Sequence, residues 1–351
     1  MIPFFDFKFT KEMEEAALHA FHNEKFVMGE SVNKFEEEFA RYIGTKYAIS
    51  VNSGNSALQL SQIALGISPK SKVITSTNSF VASASSILAA GGRPILCDIN
   101  KEDGNIDIEM CREDGDAIIP VHIYGNPCEF EKVQEFAENK KIPIIEDACQ
   151  AHGALYKDKK IGGLGNIGCF SFYPTKNMNV GGDGGMITTN DDELAKIVGS
   201  IRDNGRQSKY IHDRLGYTMR LNTVNAAIGR VQLQFLDKWN NRRREIVNIY
   251  KRKLAFDCIL KENPKGRSVY HQIVIKHKKR DLISKHLSEL DIGTMVHYPL
   301  PIHKQPLFSE LKLKLPKSEE FCNEVLSLPS YPLLKDEEIG LIAEKVNEVI
   351  A

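Results

Sequence analysis

Short apolar runs alternate with helical patterns through the first two-thirds of the chain, and this alternation constrains the fold most. Seven runs are predicted as strands: Tyr47–Val51, Lys72–Thr75, Pro94–Asp98, Ala117–Val121, Pro143–Glu146, Gly168–Phe172 and Gly185–Thr188. Helices are predicted between them: Ser56–Leu65, Ser79–Ala90, Glu129–Lys140 and Glu193–Arg202. Strands bounded by turn residues, with helices between them, predict α/β units around a largely parallel sheet.

The last third of the chain begins with one long helical pattern, from Thr223 to about Leu254, which contains no proline. Further elements are predicted beyond it: a strand at Tyr270–Ile275 and helices at Lys279–Glu289 and Lys335–Ile350. A chain of 351 residues is long enough for two cores. We therefore expect a large α/β domain over residues 1–235, including the N-terminal segment, and a smaller C-terminal α+β domain over residues 236–351.

Composition argues against several classes of partner. Lys+Arg and Asp+Glu both total 46, so the chain lacks the basic excess that favours nucleic acid or an anionic membrane. The seven cysteines are scattered without a Cys-x-x-Cys pair, which predicts reduced thiols. No apolar run approaches the roughly 18 residues that cross a bilayer, and no histidine spacing is typical of a zinc site. We expect a soluble cytoplasmic protein without a metal site.

Lys176 stands in an unusual local sequence. It follows the largely apolar run Cys169–Tyr173 and precedes the glycine-rich stretch Val180–Gly185. Glycines permit close backbone approach and positive φ, so this setting differs from that of most surface lysines. A partly desolvated lysine can act as a nucleophilic amine and form a Schiff base. We predict that Lys176 links to pyridoxal phosphate (PLP); the alternative is a solvated loop lysine.

A second signal lies at the end of the apolar run Ile142–Asp147. Asp147 stands at the carboxyl end of a predicted strand, where α/β sheets place their sites. A carboxylate there can keep a pyridinium nitrogen protonated, because opposite charges in a buried site favour both ionised forms. Gln150 is predicted to hydrogen-bond the phenolic oxygen of the cofactor. Asp147 could instead cap the segment that follows it. From the residues alone, the two roles are equally supported.

A phosphate site is predicted where the first strand passes through Gly54 into a helix. Backbone N–H groups and short polar side chains at a helix N-terminus suit a phosphate, and Gly54, Asn55 and Ser56 supply them. Ser171 is predicted to reach the same phosphate. The alternative is that Asn55 or Ser56 only caps the helix.

Phe80 follows a predicted strand and is a candidate to stack on the cofactor ring; the alternative is an ordinary core residue.

Two further motifs match a known pattern but lack the structural context that the pattern requires. Gly163–Gly168 matches the dinucleotide pattern G-x-G-x-x-G but precedes a strand and opens no helix. Asp98–Gly104 resembles a calcium loop whose glycine falls one place late.

Together these residues resemble the DegT/DnrJ/EryC1/StrS family of PLP-dependent sugar aminotransferases. The motifs Glu-Asp-Ala-Cys-Gln-Ala-His-Gly at Glu146–Gly153 and Ser-Phe-Tyr-Pro-Thr-Lys-Asn at Ser171–Asn177 carry the resemblance. Further matching segments are Phe26–Glu37, Ser53–Leu58, Val121–Gly125, Gly216–Leu233, Val296–Pro306 and Leu326–Leu334. The resemblance implies an aspartate aminotransferase-like fold (fold type I), in which the large domain holds a mostly parallel seven-stranded sheet.

The resemblance also implies roles for single residues. Lys176 would form the Schiff base, Asp147 would meet the pyridine nitrogen and Gln150 the ring oxygen. The residues that fall where the family binds phosphate are Gly54, Asn55, Ser56 and Ser171. Family members are homodimers with shared active sites, so Thr218 or Arg220 would reach the phosphate of the neighbouring subunit. The family usually has Thr in place of Asn55 and often Asn in place of Thr218. Candidates to bind the sugar nucleotide are Lys25, Phe26, Arg206, Tyr217, His297 and Tyr298.

The implied reaction is amino transfer from L-glutamate to a dTDP- or UDP-linked keto-deoxysugar, through pyridoxamine phosphate. Its product would be an amino-sugar nucleotide for glycan biosynthesis, such as that of lipopolysaccharide. Alternatives are amination of a keto-cyclitol, a PLP-dependent sugar dehydratase, and a non-catalytic regulatory or binding protein. The intact Lys176 disfavours the dehydratase, because relatives with that activity can carry histidine at this position. Neutral net charge disfavours direct binding to DNA.

Overall fold

The computed structural model describes residues 1–350 of the chain. Its helices are α1 (Lys11–Asn23), α2 (Glu30–Ile43), α3 (Gly54–Ala64), α4 (Ala82–Ala89), α5 (Phe130–Lys140), α6 (Asp192–Ile201), α7 (Thr223–Lys253), α8 (Arg280–Glu289), α9 (Pro316–Glu324) and α10 (Asp336–Ile350). Its longer strands and short ribbons are β1 (Tyr47–Val51), β2 (Lys72–Ser76), β3 (Arg93–Cys97), β4 (Ala117–Ile119), β5 (Ile145–Asp147), β6 (Leu155–Tyr156), β7 (Lys159–Lys160), β8 (Ile167–Ser171), β9 (Gly185–Thr189), β10 (Arg206–Ser208), β11 (Ile211–His212), β12 (Gly266–Arg267), β13 (Ile273–Lys276) and β14 (Val325–Leu328). Short 3-10 helices lie at Ile108–Met110, Ile123–Gly125, Ile302–Lys304 and Pro306–Leu311.

The seven predicted strands form one sheet in the order β3-β2-β4-β5-β8-β9-β1. Two hydrogen-bonded groups, β3-β2-β4 and β5-β8-β9-β1, are joined by parallel bridges from Ile118 to Ile144 and from Val121 to Asp147. Strand β9 is antiparallel to both neighbours, and the other adjacent strand pairs are parallel. The prediction of a mostly parallel seven-stranded sheet in an α/β fold is confirmed.

Helices cover both faces of this sheet, as strand β8 shows. Its residues alternate between two apolar clusters, because successive side chains of a strand point to opposite faces. Phe170 packs with Phe35 and Phe39 of α2 on one face, whereas Ile167 and Cys169 belong to the cluster on the other face with residues of α3 and α6. The three layers fix the carboxyl ends of the parallel strands at one edge of the sheet.

Some helix and strand boundaries differ between the prediction and the structure. The helix predicted from Ser79 begins at Ala82, so Ser79 and Phe80 lie in the turn before it. The strand predicted from Tyr270 begins at Ile273, because Tyr270 has a positive φ of 44°. Strand β4 ends at Ile119, before Pro120, which lacks the N–H that a ladder needs.

The Gly163–Gly168 stretch has a structural role that explains its glycines without a dinucleotide. The carboxylate of Glu146 is fully buried and accepts the backbone N–H groups of Gly162, Leu164 and Gly165 at 2.7–2.8 Å. The loop therefore wraps a carboxylate of the protein itself, since consecutive backbone amides form a nest for anions.

Helix α7 passes from one apolar cluster to another. Ala226 and Leu236 pack in the cluster beneath the large sheet. Ile246 and Tyr250 pack in a separate cluster with β13, β14, α8 and α10, which also includes Ile2. A division at residues 235 and 236 stays a prediction. In the part of the chain described, no helix is both long and apolar enough to cross a membrane.

Candidate active site

Lys176 lies just beyond the carboxyl end of β8, in a turn closed by a 2.8 Å hydrogen bond from its N–H to the carbonyl of Tyr173. The next residue anchors this turn. Asn177 donates to Asn240 Oδ1 at 2.9 Å and to the Val269 carbonyl at 3.1 Å, and its Oδ1 lies 3.1 Å from Nδ1 of His271. Lys176 is thus fixed between the large sheet and α7.

The surroundings of Lys176 suit a reactive amine. Burial lowers the pKa of its ammonium, while the neighbouring Cys149 and Asp147 oppose that shift. A lowered pKa enlarges the fraction of neutral amine near pH 7, and the neutral amine is the nucleophile. The structure therefore brings the predicted lysine and the predicted aspartate into one site.

Asp147 ends strand β5 and is 4% exposed. Its backbone is pinned to the next strand segment, with its N–H donating to Pro120 at 2.9 Å and its carbonyl accepting from His122 at 3.1 Å. Its side chain accepts the hydroxyl of Ser83 at 2.6 Å and the N–H of Cys149 at 3.2 Å. Asp147 therefore does cap the turn that follows it, and it also lies beside Lys176. The two predicted roles do not exclude each other.

Gln150 joins Asp147 to the C-terminal part of the chain. Its Oε1 accepts the N–H of Tyr124 at 2.7 Å, and its Nε2 donates to the hydroxyl of Tyr298 at 3.1 Å. Burial, followed by the charge of Asp147, raises the pKa of Tyr298 far above its usual value, so this phenol stays protonated. The ring of Tyr298 lies 6.2 Å from that of Phe80, which is 56% exposed and so is not a core residue.

The predicted phosphate residues meet where α3 begins. Ser53 caps the helix, since its hydroxyl accepts the N–H of Ser56 at 3.0 Å and lies 2.9 Å from the Ser56 hydroxyl. Gly54 packs directly against Ser171: a Cβ at Gly54 would lie 2.6 Å from Cβ of Ser171 and 2.9 Å from Sγ of Cys149. Asn55 is exposed at the same turn. A helix N-terminus, two serine hydroxyls and a glycine cradle suit a phosphate group.

Gly54→Ala should weaken PLP binding, because its methyl group must displace Ser171 or Cys149. We expect the PLP dissociation constant to rise roughly tenfold, or about 1.4 kcal/mol, because a displaced Ser171 hydroxyl would lose about one hydrogen bond to the phosphate. Equilibrium dialysis of both proteins measures this change. Gly199→Ala is the matched control: Gly199 lies in α6 with nothing within 4 Å of an added Cβ, so its PLP affinity should stay unchanged. Equal affinities in wild type and Gly54→Ala would contradict the assignment.

A second group of predicted residues lies around Asp203. Arg220 forms an ion pair with Asp203, and Arg206 does so at 3.1 Å. Thr218 is exposed and donates to Asn204 at 3.1 Å. Within residues 1–350, no hydrogen bond or ion pair joins this group to Lys176.

The other substrate candidates lie on different elements of the chain. Lys25 and Phe26 are exposed, and their carbonyls accept the hydroxyl and the N–H of Thr223 at the start of α7. Tyr217 is partly buried and donates its N–H to Ile201 at 2.7 Å. Burial, followed by the charge of the nearby Lys176, lowers the pKa of His297. In one chain, the charges of Lys176 and Asp147 act on His297 and Tyr298. Among residues 1–350, no hydrogen bond or ion pair joins Lys25, Phe26, Arg206 or Tyr217 to Lys176 or Asp147.

Three histidines near Lys176, of which His152 and His271 are buried and His297 is half-buried, make stability depend on pH. Burial, followed by the charge of Lys176, lowers the pKa of His152 to about 3, of His297 to about 4, and of His271 below its usual range. Below about pH 6.5 the unfolded chain binds protons that the folded chain refuses. The free energy of unfolding should therefore fall as pH drops from about 6.5 toward 4, by up to about 1.4 kcal/mol per pH unit for each histidine.

Urea unfolding at several pH values measures this slope. His152→Phe should flatten it, because phenylalanine can fill the space beside Phe170 and Phe172 without titrating. His22→Gln, at an exposed position, should leave it unchanged. The same slope in wild type and His152→Phe would contradict the prediction.

Two side chains of this site were not predicted from the sequence. Ser83 holds the carboxylate of Asp147, and the backbone of Tyr124 holds Gln150 while its hydroxyl donates to the His297 carbonyl. The signal for Ser83 was its position three residues after Phe80. Tyr124 lies in the segment Val121–Gly125 that contributes to the family resemblance.

Comparison with known proteins decides the family. The sequence profile of the DegT/DnrJ/EryC1/StrS aminotransferase family matches residues 8–347. This chain is a member of that family. Its fold agrees with a crystal structure of S. venezuelae DesV in complex with a ketimine intermediate, at a TM-score of 0.93 and 34% identity over 96% of this chain and 94% of that one. The predicted family and fold type I architecture are confirmed.

Curated members of the family carry different names. A "pleiotropic regulatory protein" of Geobacillus stearothermophilus is 41% identical over 92% of this chain and 90% of its own length. A dTDP-3-amino-3,6-dideoxy-α-D-galactopyranose transaminase of Aneurinibacillus thermoaerophilus is 38% identical over 99% of both chains. A UDP-2-acetamido-2-deoxy-3-oxo-D-glucuronate aminotransferase of Pseudomonas aeruginosa is 34% identical, with 97% and 98% of the two chains covered.

The residues of this family member fit PLP. The site combines a lysine of lowered pKa, a carboxylate fixed at a strand end, and a helix N-terminus that a Cβ at Gly54 would crowd. Among residues 1–350 no cluster of His, Cys, Asp and Glu has the arrangement of a metal site.

Proposed function

We propose that this chain transfers the amino group of L-glutamate to a keto-sugar nucleotide, with PLP held by Lys176 as its cofactor. The observation that carries the proposal is the convergence of Lys176, Asp147 and Gln150 in one site. The transaminase names of its relatives support the substrate class. The proposal places the enzyme in the cytoplasm, in keeping with seven free cysteines.

Each residue would have a definite task. PLP supplies, when bound, a ring that takes up the electron pair left by the α-proton of the amino donor. Lys176 Nζ would hold the cofactor and then move that proton as general base and acid. Asp147 would keep the ring nitrogen protonated, and Gln150 Nε2 would donate to the phenolic oxygen. Ser56, Ser171 and the N–H groups at the start of α3 would bind the phosphate.

An absorbance spectrum tests the donor half of the proposal. The PLP-loaded protein should lose its yellow colour when L-glutamate is added and regain it when a keto-sugar nucleotide follows. D-Glutamate is the matched control and should leave the colour unchanged. Persistence of the colour with L-glutamate would reject glutamate as donor. Recovery with a keto-inositol but with no keto-sugar nucleotide would replace the acceptor by a cyclitol, and a deoxygenated product without amino transfer would indicate the dehydratase.

The proposal includes a homodimer in which each subunit completes the site of the other. The family resemblance, which assigns Thr218 or Arg220 to the phosphate of the neighbouring subunit, supports it, as does the exposure of Phe26, Phe80 and Tyr173. Mixing Lys176→Ala with Arg220→Ala subunits should restore activity that neither has alone. This restoration requires subunit exchange, because only the mixed dimer holds one intact site. Inactive mixtures, with exchange shown by native mass spectrometry, would reject a role for Arg220 across the interface, and Thr218→Ala would then be tested in its place.

The Geobacillus relative is named a regulatory protein, so regulation is a second candidate function. The chain has equal numbers of acidic and basic residues, which gives no basic surface for DNA by composition. Tight, sequence-specific DNA binding at physiological salt would favour the regulatory function.

A further inference from the structure

Two serine hydroxyls stand behind Asp147 at the start of α4. Ser83 Oγ lies 2.6 Å from Asp147 Oδ2, and Ser79 Oγ lies 2.7 Å from Ser83 Oγ. Ser79 is 4% exposed and Ser83 is 1% exposed. The pair therefore forms a short hydroxyl chain, shielded from water, that ends on the carboxylate.

The direction of the hydrogen bonds in this chain is fixed by chemistry. An ionised carboxylate can only accept, so the Ser83 hydroxyl must donate to Asp147. Ser83 has a single proton to give, so the Ser79 hydroxyl must in turn donate to Ser83. Each bond polarises the next, and a short bond to a carboxylate is stronger than one between neutral groups.

The other oxygen of the Asp147 carboxylate also has a partner. Oδ1 accepts the N–H of Cys149 at 3.2 Å, so each oxygen has one protein donor. A carboxylate has about four acceptor positions, so at least one stays available to a further donor. The titratable groups whose charges act on Asp147, or are acted on by it, are Lys176, Cys149, Tyr298 and Cys169.

We propose that Ser83 is a positioning residue of the transamination site, which holds the Asp147 carboxylate in its orientation, with Ser79 supporting it. The proposal rests on the proposed function, because Asp147 needs this control only if it holds a pyridinium nitrogen. A hydrogen bond to the charged form of a carboxylate favours that form. Loss of the Ser83 hydroxyl would leave a buried carboxylate oxygen without its protein donor, so the carboxylate would rotate more freely.

The chain offers a matched control on the same helix. Ser86 is fully buried, and its hydroxyl accepts Nε2 of Gln62 at 3.0 Å, with no contact to Asp147. Ser86→Ala therefore removes a buried serine hydroxyl of α4 without touching the carboxylate. Ser83→Thr keeps the hydroxyl and is the conservative variant.

The experiment compares wild type with Ser83→Ala, Ser83→Thr and Ser86→Ala in PLP affinity and in the pH profile of the L-glutamate half-reaction. Ser83→Ala should weaken PLP binding about tenfold or more, since hydrogen bonds to charged groups contribute more than neutral ones. The rate of its half-reaction should fall across the pH profile, because a carboxylate that rotates more freely is less well aligned with the ring nitrogen. Ser83→Thr should restore both, and Ser86→Ala should change neither, even if it lowers the melting temperature.

Three outcomes would overturn the proposal. Wild-type affinity and pH profile in Ser83→Ala would show that Asp147 needs no support. Equal effects in Ser86→Ala and Ser83→Ala would reduce the role to helix stability. Wild-type protein that binds no PLP would remove the proposed function itself, and this result is distinguishable because it appears before any variant is compared.

Discussion

Lys176→Ala should lose transamination while keeping its fold. Lys176 is the only predicted covalent attachment point, and its amine would also move the α-proton, a task that accounts for roughly 10²–10⁴-fold of rate. Alanine supplies neither function. Steady-state turnover with L-glutamate and a keto-sugar nucleotide measures the loss, and circular dichroism measures the fold. We expect the variant to stay folded, because burial disfavours the charge that the substitution removes.

Two comparisons isolate the amine of Lys176. Lys176→Arg retains the positive charge but stays protonated, so it should be as inactive as alanine. Lys160 is another lysine whose pKa is lowered by burial, but it lies over the ring of Tyr42 instead of beside Asp147. Lys160→Ala should therefore keep wild-type turnover. Undiminished activity in Lys176→Ala would defeat the whole assignment.

Asp147→Asn should slow the L-glutamate half-reaction by roughly 10²–10³-fold, the usual cost of removing one preorganised electrostatic contact. Asparagine keeps the size of the side chain but removes the charge that would hold a ring nitrogen protonated. The variant should still turn yellow with PLP, because Lys176 is intact. Single-turnover absorbance measurements after mixing with L-glutamate give the rate.

Asp98→Asn is the matched control for Asp147→Asn. Asp98 is 1% exposed and follows β3 in the same sheet, but its carboxylate accepts the N–H groups of Lys317 and Ser318 at the start of α9. We expect Asp98→Asn to lower the melting temperature and leave the half-reaction rate per bound PLP unchanged. An Asp147→Asn variant that reacts at the wild-type rate would show that the carboxylate does not serve the cofactor.

Much of the fold was predictable because local signals agree with tertiary packing. Seven apolar runs became the seven strands of the large sheet, and the long pattern from Thr223 became α7, which ends at Lys253. The boundaries were least predictable where a turn residue replaced a regular one, as at Tyr270 and Pro120. The antiparallel direction of β9 could not be predicted from the sequence either, since a buried strand has the same composition in either direction.

The active site was predictable to the extent that its residues lie in short motifs. Lys176, Asp147 and Gln150 occur in two segments whose spacing and flanking residues are distinctive. The partners of these residues come from distant parts of the chain, so no local pattern shows which of them makes each contact. Ser83 lies 64 positions from Asp147, and Tyr298 lies 148 positions from Gln150.

The sequence by itself determined the α/β fold, the family and the three residues on which the proposed chemistry depends. Each of these can be recognised from local periodicity or from a contiguous motif. Only the tertiary structure decided which hydroxyl holds Asp147, which tyrosine reaches Gln150, and which predicted residues gather around Asp203. The physical reason is that hydrogen bonds and desolvation depend on distances of a few ångströms between strand ends and loops. Those distances are set when the sheet orders its strands and the helices pack on its faces.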